Sequence, residues 1–193
     1  MIFEVLQIIT EEVNNYFGTN PVSLDNIASV ASEQGDGGAT STDVILTLLN
    51  LQEEAALKNK PNYAVEGSRI TYKNNIVNLN LYILFSANND KYDEALKNLS
   101  KILEFFQGKK VFTQANTIYN RDDVSMSKIT NFRFVVDLFT PTFEELNFVW
   151  GTLGGKQIPS VMYKVSLVEI ERETILGKGE LISQVNGELK HKN

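Results

Sequence analysis

Residues 131–172 read NFRFVVDLFTPTFEELNFVWGTLGGKQIPSVMYKVSLVEIER, and this stretch decides the fold. Phe132, Phe134, Val136 and Leu138 alternate with Arg133, Val135 and Asp137, the period of a strand with one buried face. Thr140-Pro141 ends that strand, because the residue before a proline is steered away from helical geometry. Thr142 followed three residues on by Glu145 is a capping-box pattern, so a helix starts there and presents Leu146, Val149, Trp150 and Leu153 on one side. Gly154-Gly155 stops it. After Pro159, SVMYKVSLVEIER alternates long enough to cross a whole sheet, with Val161, Tyr163, Val165 and Leu167 on one face.

The same strand–helix–strand order occurs upstream. IVNLNLYILF, residues 76–85, places Val77, Leu79, Leu81, Ile83 and Phe85 on one face and Asn78 and Asn80 on the other, which predicts a strand with one buried and one partly wet face. The following helix runs from about Lys91 to Gln107, with Tyr92, Leu96, Leu99, Leu103 and Phe106 as its apolar stripe and Gly108 as its stop. VFTQANT, 111–117, reads as a further strand. At the N-terminus, Ile2, Leu6, Ile9, Val13 and Tyr16 or Phe17 have helical spacing ahead of a glycine cap at Gly18. VILTLLNL, 44–51, is short and continuously apolar and reads as a buried strand. Residues 18–43 read as a long surface loop with a short helix near Leu24 to Val30, and 52–75 as irregular, with Pro61, Gly67 and Asn74-Asn75 as turn signals. Together these segments predict a single α/β domain of the α+β type over residues 1–172: one mixed, mainly antiparallel sheet covered by about three helices. Residues 173–193 follow as a C-terminal arm, broken by Gly177, Gly179 and Gly187 but retaining the apolar pairs Ile175-Leu176 and Leu181-Ile182.

Composition narrows the function. The 193-residue chain is 42% hydrophobic, ordinary for a globular domain and far above a disordered one. It has no cysteine, which removes disulfides, thiolate zinc sites and a cysteine nucleophile together. The segment MIFEVLQIITEEVNNYF carries no basic leader and interrupts its apolar pattern with Glu4, Glu11 and Glu12, so neither a secretory signal nor membrane insertion is expected. Net charge is -6, unevenly spread: Lys58 is the first basic residue, preceded by Glu4, Glu11, Glu12, Asp25, Glu33, Asp36, Asp43, Glu53 and Glu54. Such a third repels nucleic acid and suits solvent or a basic protein partner.

No catalytic grouping stands out. The single histidine, His191, lies in the terminal run ELKHKN, where no base is held in register with a nucleophile. The carboxylate pairs Glu53-Glu54, Asp122-Asp123 and Glu144-Glu145 join adjacent residues, which point in different directions, and the last suits a helix N-terminus. The glycines at 35–38 lack the Lys-Ser/Thr of a phosphate loop. No catalytic, metal or cofactor residue is therefore assigned. Backbone for strand addition is expected on the strand 160–172 and the Gly-broken arm. The candidate assembly contacts are Asn78, Asn80, Tyr163, Lys164, Ile175, Leu176, Leu181 and Ile182.

The block Trp150, Leu153, Gly154, Pro159, Ser160, Tyr163, Lys164 resembles the tail terminator or cap proteins of extracellular contractile injection systems, relatives of phage tails. There a helix with an aromatic near its end runs into a Leu-Gly turn, a Pro-Ser step and a Tyr-Lys strand. VNLNLYILFSAN continuing into KYDEALKNLSKILEFFQ is similar to the family's middle portion, and the N-terminal helix with VILTLLNLQEEAALKN to its start. The resemblance covers roughly Ile2 to Arg172.

It implies a tail-terminator-like fold and a structural, non-enzymatic role. The implied assembly is a homo-hexameric ring on the end of the inner tube and sheath distal to the baseplate, halting polymerisation and anchoring the sheath. Its partners would be copies of itself, sheath and tube proteins and other terminator-like subunits, assembled in the bacterial cytoplasm before the particle is released. Two other readings are a non-catalytic α/β adaptor that docks a protein by strand addition, and a hydrolase built on Asp or Glu alone.

Overall fold

In the computed structural model the described residues are 1–29, 43–58, 61–67, 69–120, 126, 132–170 and 175–180. A six-stranded sheet has the order β1-β2-β5-β8-β7-β6: β1 Val22–Leu24, β2 Val44–Glu53, β5 Val77–Ala87, β6 Val111–Thr113, β7 Arg133–Phe139 and β8 Ser160–Ile170. Only the β1–β2 pairing is parallel. A second sheet, ordered β3-β4-β9, joins Tyr63–Glu66, Arg69–Lys73 and Ile175–Glu180. Three principal helices accompany them: α1 Ile2–Phe17, α2 Tyr92–Gly108 and α3 Phe143–Thr152. The mixed, mainly antiparallel α/β architecture expected from the sequence is the one observed.

Alternation along the strands builds a core on each face of the large sheet. Leu46, Leu81, Ile83, Phe85, Tyr163 and Val165 point toward α1 and α2, while Ile45, Leu84 and Met162 point the other way, toward Trp150 of α3 and Ile158. The α1–α2 side is aromatic: Phe106 lies 4.4 Å from Tyr163, and Phe112 stacks on Phe134 at 5.0 Å.

The ends of α1 and α3 form as their sequences predict, whereas α2 runs through Gly108 and ends at Lys109. Gly18 takes φ 71 and its N–H bonds to the Asn14 and Asn15 carbonyls. Both halves of the Thr142–Glu145 capping box are made, and Gly154 and Gly155 take positive φ beyond α3.

Several details differ from the sequence reading. Residues 18–43 contain β1, held to α1 because the Asn14 side chain imitates a strand neighbour: its Oδ1 accepts from the Val22 N–H and its Nδ2 donates to the Val22 carbonyl, both at 2.9 Å. One helical turn, Ile27–Ser29, falls inside the predicted short helix. Residues 52–75 hold a 3-10 turn at Ala55–Leu57 and the β3–β4 hairpin. The apolar run of β2 is buried on both faces only in its first half, and Leu51 is exposed.

On α2, Ala95, Leu99, Ile102, Phe105 and Phe106 face the core, leaving Tyr92, Leu96 and Leu103 exposed. Apolar residues circle more of this helix than one sheet face can cover. The Phe105–Phe106 pair, set against Phe112, Phe85 and Tyr163, fixes the rotation. Glu12, expected on a solvated acidic face, is instead buried. It accepts from the Ile118 N–H and from Lys109 Nζ, the latter at 2.7 Å, and thereby ties α1 to the segment after α2.

β8 carries the largest local departure. Across Leu79 and Leu81 of β5 stand Val168 and Val165, so β8 holds one extra residue there, and Leu167 takes φ 66. The bulge turns Leu167 out of the core face predicted for it and lets Val168 enter. A leucine in the left-handed region costs roughly 1–2 kcal/mol, and a β-branched side chain fits there less well. Leu167→Gly should therefore stay within about 1 kcal/mol of the parent, with relieved strain offset by glycine's entropy, while Leu167→Val should lose about 1–2 kcal/mol. Urea midpoints of the two variants check the ordering.

Candidate functional site

β8 is interior. β5 pairs with it from Ser160 to Ile170 and β7 from Met162 to Ser166, so over that middle stretch neither backbone edge is open to a partner. Tyr163 is 2% exposed, packed against Phe85 and Phe106, and burial pushes its phenol well above the ordinary range. Lys164, its neighbour, is half-buried on the opposite face. Asn78 and Asn80, each 3% exposed, do not line a wet face, because β5 lies at the centre of the sheet. Among the described residues their Oδ1 atoms find no hydrogen-bond partner, whereas Asn80 Nδ2 donates to Glu54 Oε2 at 2.9 Å.

The remaining predicted contacts lie on the arm. β9 pairs antiparallel with β4, and Ile175 and Leu176 are 54% and 61% exposed. Leu181 and Ile182 lie outside the described residues. β4 precedes β5 and β9 follows β8 in the chain, so the β4–β9 pairing joins the segments next in sequence beyond the β5–β8 pairing, in a separate sheet. Along it, Tyr63, Val65, Ile70 and Tyr72 fall on one face with Gly177 and Gly179. Tyr63, Val65 and Tyr72 are exposed. Tyr63 to Glu66 and Arg69 to Tyr72 do carry a period-2 pattern around Gly67; the surrounding Pro61 and Asn74-Asn75 outweigh it when the segment is read as sequence.

A second apolar surface was hidden in the helices. Tyr92, Leu96 and Leu103 of α2, Leu138 at the end of β7, Leu146 of α3 and Val161 of β8 line an open groove of about 690 Å³. Phe143 and Phe148 of α3 stand 93% and 63% exposed. Another open cleft, of about 940 Å³, lies between β2 and α3 and includes Leu49, Tyr82 and Leu153.

The carboxylate pairs are engaged locally. Glu53 meets Lys58 at 2.7 Å, Glu145 closes the capping box, and Asp122-Asp123 lies outside the described residues. Glu54 caps the 3-10 turn through the Ala56 N–H. Trp150 is buried against the sheet, and its Nε1 finds no partner among the described residues. Among the described residues no three His, Asp or Glu side chains converge to hold a metal, and no helix is long and apolar enough to cross a membrane.

What the geometry defines, over the described residues, is an α/β domain with several uncovered apolar surfaces. The chain belongs to the family of the Pvc16 N-terminal domain, whose model matches residues 4–184. Its fold is that of the PVC sheath/tube terminator of an extracellular contractile injection system in the extended state, with TM-score 0.63 and 12% identity over 100% of this chain. The tube-terminating cap of the anti-feeding prophage is also similar, with TM-score 0.50 and 14% identity over 75% of this chain and 48% of its own. The chain spans 64% of the length of the PVC terminator. No curated protein matches.

Glu54 offers a pH test of the buried asparagines. The Asn80 amide, the Ala56 N–H and the nearby Lys164 hold its carboxyl below the ordinary carboxylate value. A depressed folded-state value stabilises the fold above the unfolded-state value, and that contribution vanishes as pH falls through the depressed one. Glu54→Gln should flatten the acid-side loss of stability between about pH 5 and pH 3. Urea midpoints at each pH measure it, and an unchanged slope would dissociate Glu54 from the Asn80 contact.

Proposed function

We propose that this chain is a structural terminator subunit of a contractile injection system. It assembles into a ring, with six copies as the expected number, on the end of the inner tube and sheath, where it stops polymerisation and anchors the sheath. The observation that supports this most is the family match over residues 4–184, within a family whose fold is shared with a sheath/tube terminator. Such a role needs binding surfaces and no catalyst. Copies of the chain, tube and sheath proteins and other terminator-like subunits are the partners, with assembly in the bacterial cytoplasm ahead of the finished extracellular particle.

The arm after residue 172 is the assembly element in this reading. Ile175 and Leu176 are its exposed contacts, and Leu181 and Ile182 are proposed to extend them. Asn78, Asn80, Tyr163 and Lys164 serve by holding the β5–β8 ladder from which the arm emerges. The adaptor reading shares strand addition but predicts neither ring nor tube binding.

Negative-stain microscopy of particles from cells with and without the gene tests the proposal. Loss of the chain should give tubes of unregulated length and sheaths detached at the end distal to the baseplate. Tails of normal length with intact ends would refute it.

A further inference from the structure

Two of the uncovered apolar surfaces, the α2–α3 groove and the tyrosine face of the β3-β4-β9 sheet, flank the two ends of one strand. The groove is built where β8 begins, around Val161 and the end of β7, and the arm departs where β8 ends. Eleven residues of extended chain separate them by about 35 Å. A small three-stranded sheet with a bare aromatic face gains by covering it, as does an apolar groove. Contacts that close a ring join two different patches on successive copies, and patches at opposite ends of a rigid strand have that layout.

We infer that the face of the β3-β4-β9 sheet carrying Tyr63, Val65 and Tyr72, the sheet to which the arm strand β9 belongs, seats in the α2–α3 groove of the next copy; this rests on the terminator reading. The backbone geometry supports this pairing. β6 pairs with β7 only at Arg133 to Val135, and the Val136 N–H bonds to Lys110, so the outer edge of Asp137 to Phe139 has no strand beside it among the described residues. Among the described residues β3 has a partner on one side only. An edge strand of the arm can therefore add to the end of β7 while its tyrosines enter the groove. Gly179 leaves the flank of the Tyr72 ring uncovered, where a Cβ would stand 3.7 Å from it.

The absence of cysteine makes a clean test possible. Val65→Cys and Leu138→Cys proteins are prepared separately, checked for parental thermal unfolding, and treated with a short bis-maleimide alone and as an equal mixture, each with and without purified tubes. The mixture should give covalent dimers and each variant alone only monomer. Adding Leu96→Asp, an exposed residue of the groove lining, to the Leu138→Cys protein should abolish the dimer while its thermal unfolding stays parental. Dimers from Val65→Cys alone would mean that arm faces pair with each other, and monomer throughout would mean that the contact does not exist; either overturns the inference. Capping of tube ends by the unmodified chain is scored by microscopy in parallel. Capping without cross-links leaves the terminator reading standing and removes this contact, while absence of capping removes the terminator reading.

Discussion

The antiparallel pairing of β5 with β8 is the constraint on which the remainder depends. These two strands lie at the centre of the large sheet, carry the aromatic core toward α1 and α2, and bury Leu84 and Met162 toward α3. The segments next in sequence on either side, β4 before β5 and β9 after β8, pair in turn in the second sheet. The break between the two pairings follows the Leu167 bulge, which adds a residue to β8 and raises the local twist. A leucine held at positive φ at this point is consistent with a strand whose outer end is aimed by its inner end.

Around that ladder, polar groups join elements that apolar packing alone would leave loosely related. Glu12 reaches from α1 to Lys109 and the Ile118 backbone, and Lys109 also donates to the Asn116 carbonyl at 2.6 Å. Breaking a buried ion pair leaves a charge without compensation, which is worth more than a surface pair of the same length. Asn14 plays the corresponding part for β1. Both are short polar residues on α1, and both define where the following chain must lie.

The sequence exposed the regular elements because their periods are unambiguous: the capping box before α3, the glycine after α1 and the alternation in β5, β7 and β8 are all local signals. It did not reveal which face of α2 would be buried, since Leu96 and Leu103 look as eligible as Ile102 and Phe105 until Phe85 and Tyr163 are set beside them. Burial of Asn78 and Asn80 was likewise invisible, because it follows from the central position of β5 and not from the residues. The β3–β4 hairpin was concealed by its polar, Asn- and Pro-rich flanks. Of the candidate contacts, Ile175 and Leu176 are exposed as a docking role requires, whereas the groove of Leu96, Leu103 and Leu138 could emerge only once three elements were brought together.

The account centres on the arm as an assembly element carried by a rigid ladder. Amide hydrogen exchange on the free chain and on the chain bound to tube ends addresses this directly. The account predicts that Tyr63–Glu66, Arg69–Lys73 and Ile175–Glu180 gain protection on assembly while β5 and β8 remain as slow as in the free chain. Equal exchange in the arm before and after assembly would contradict it.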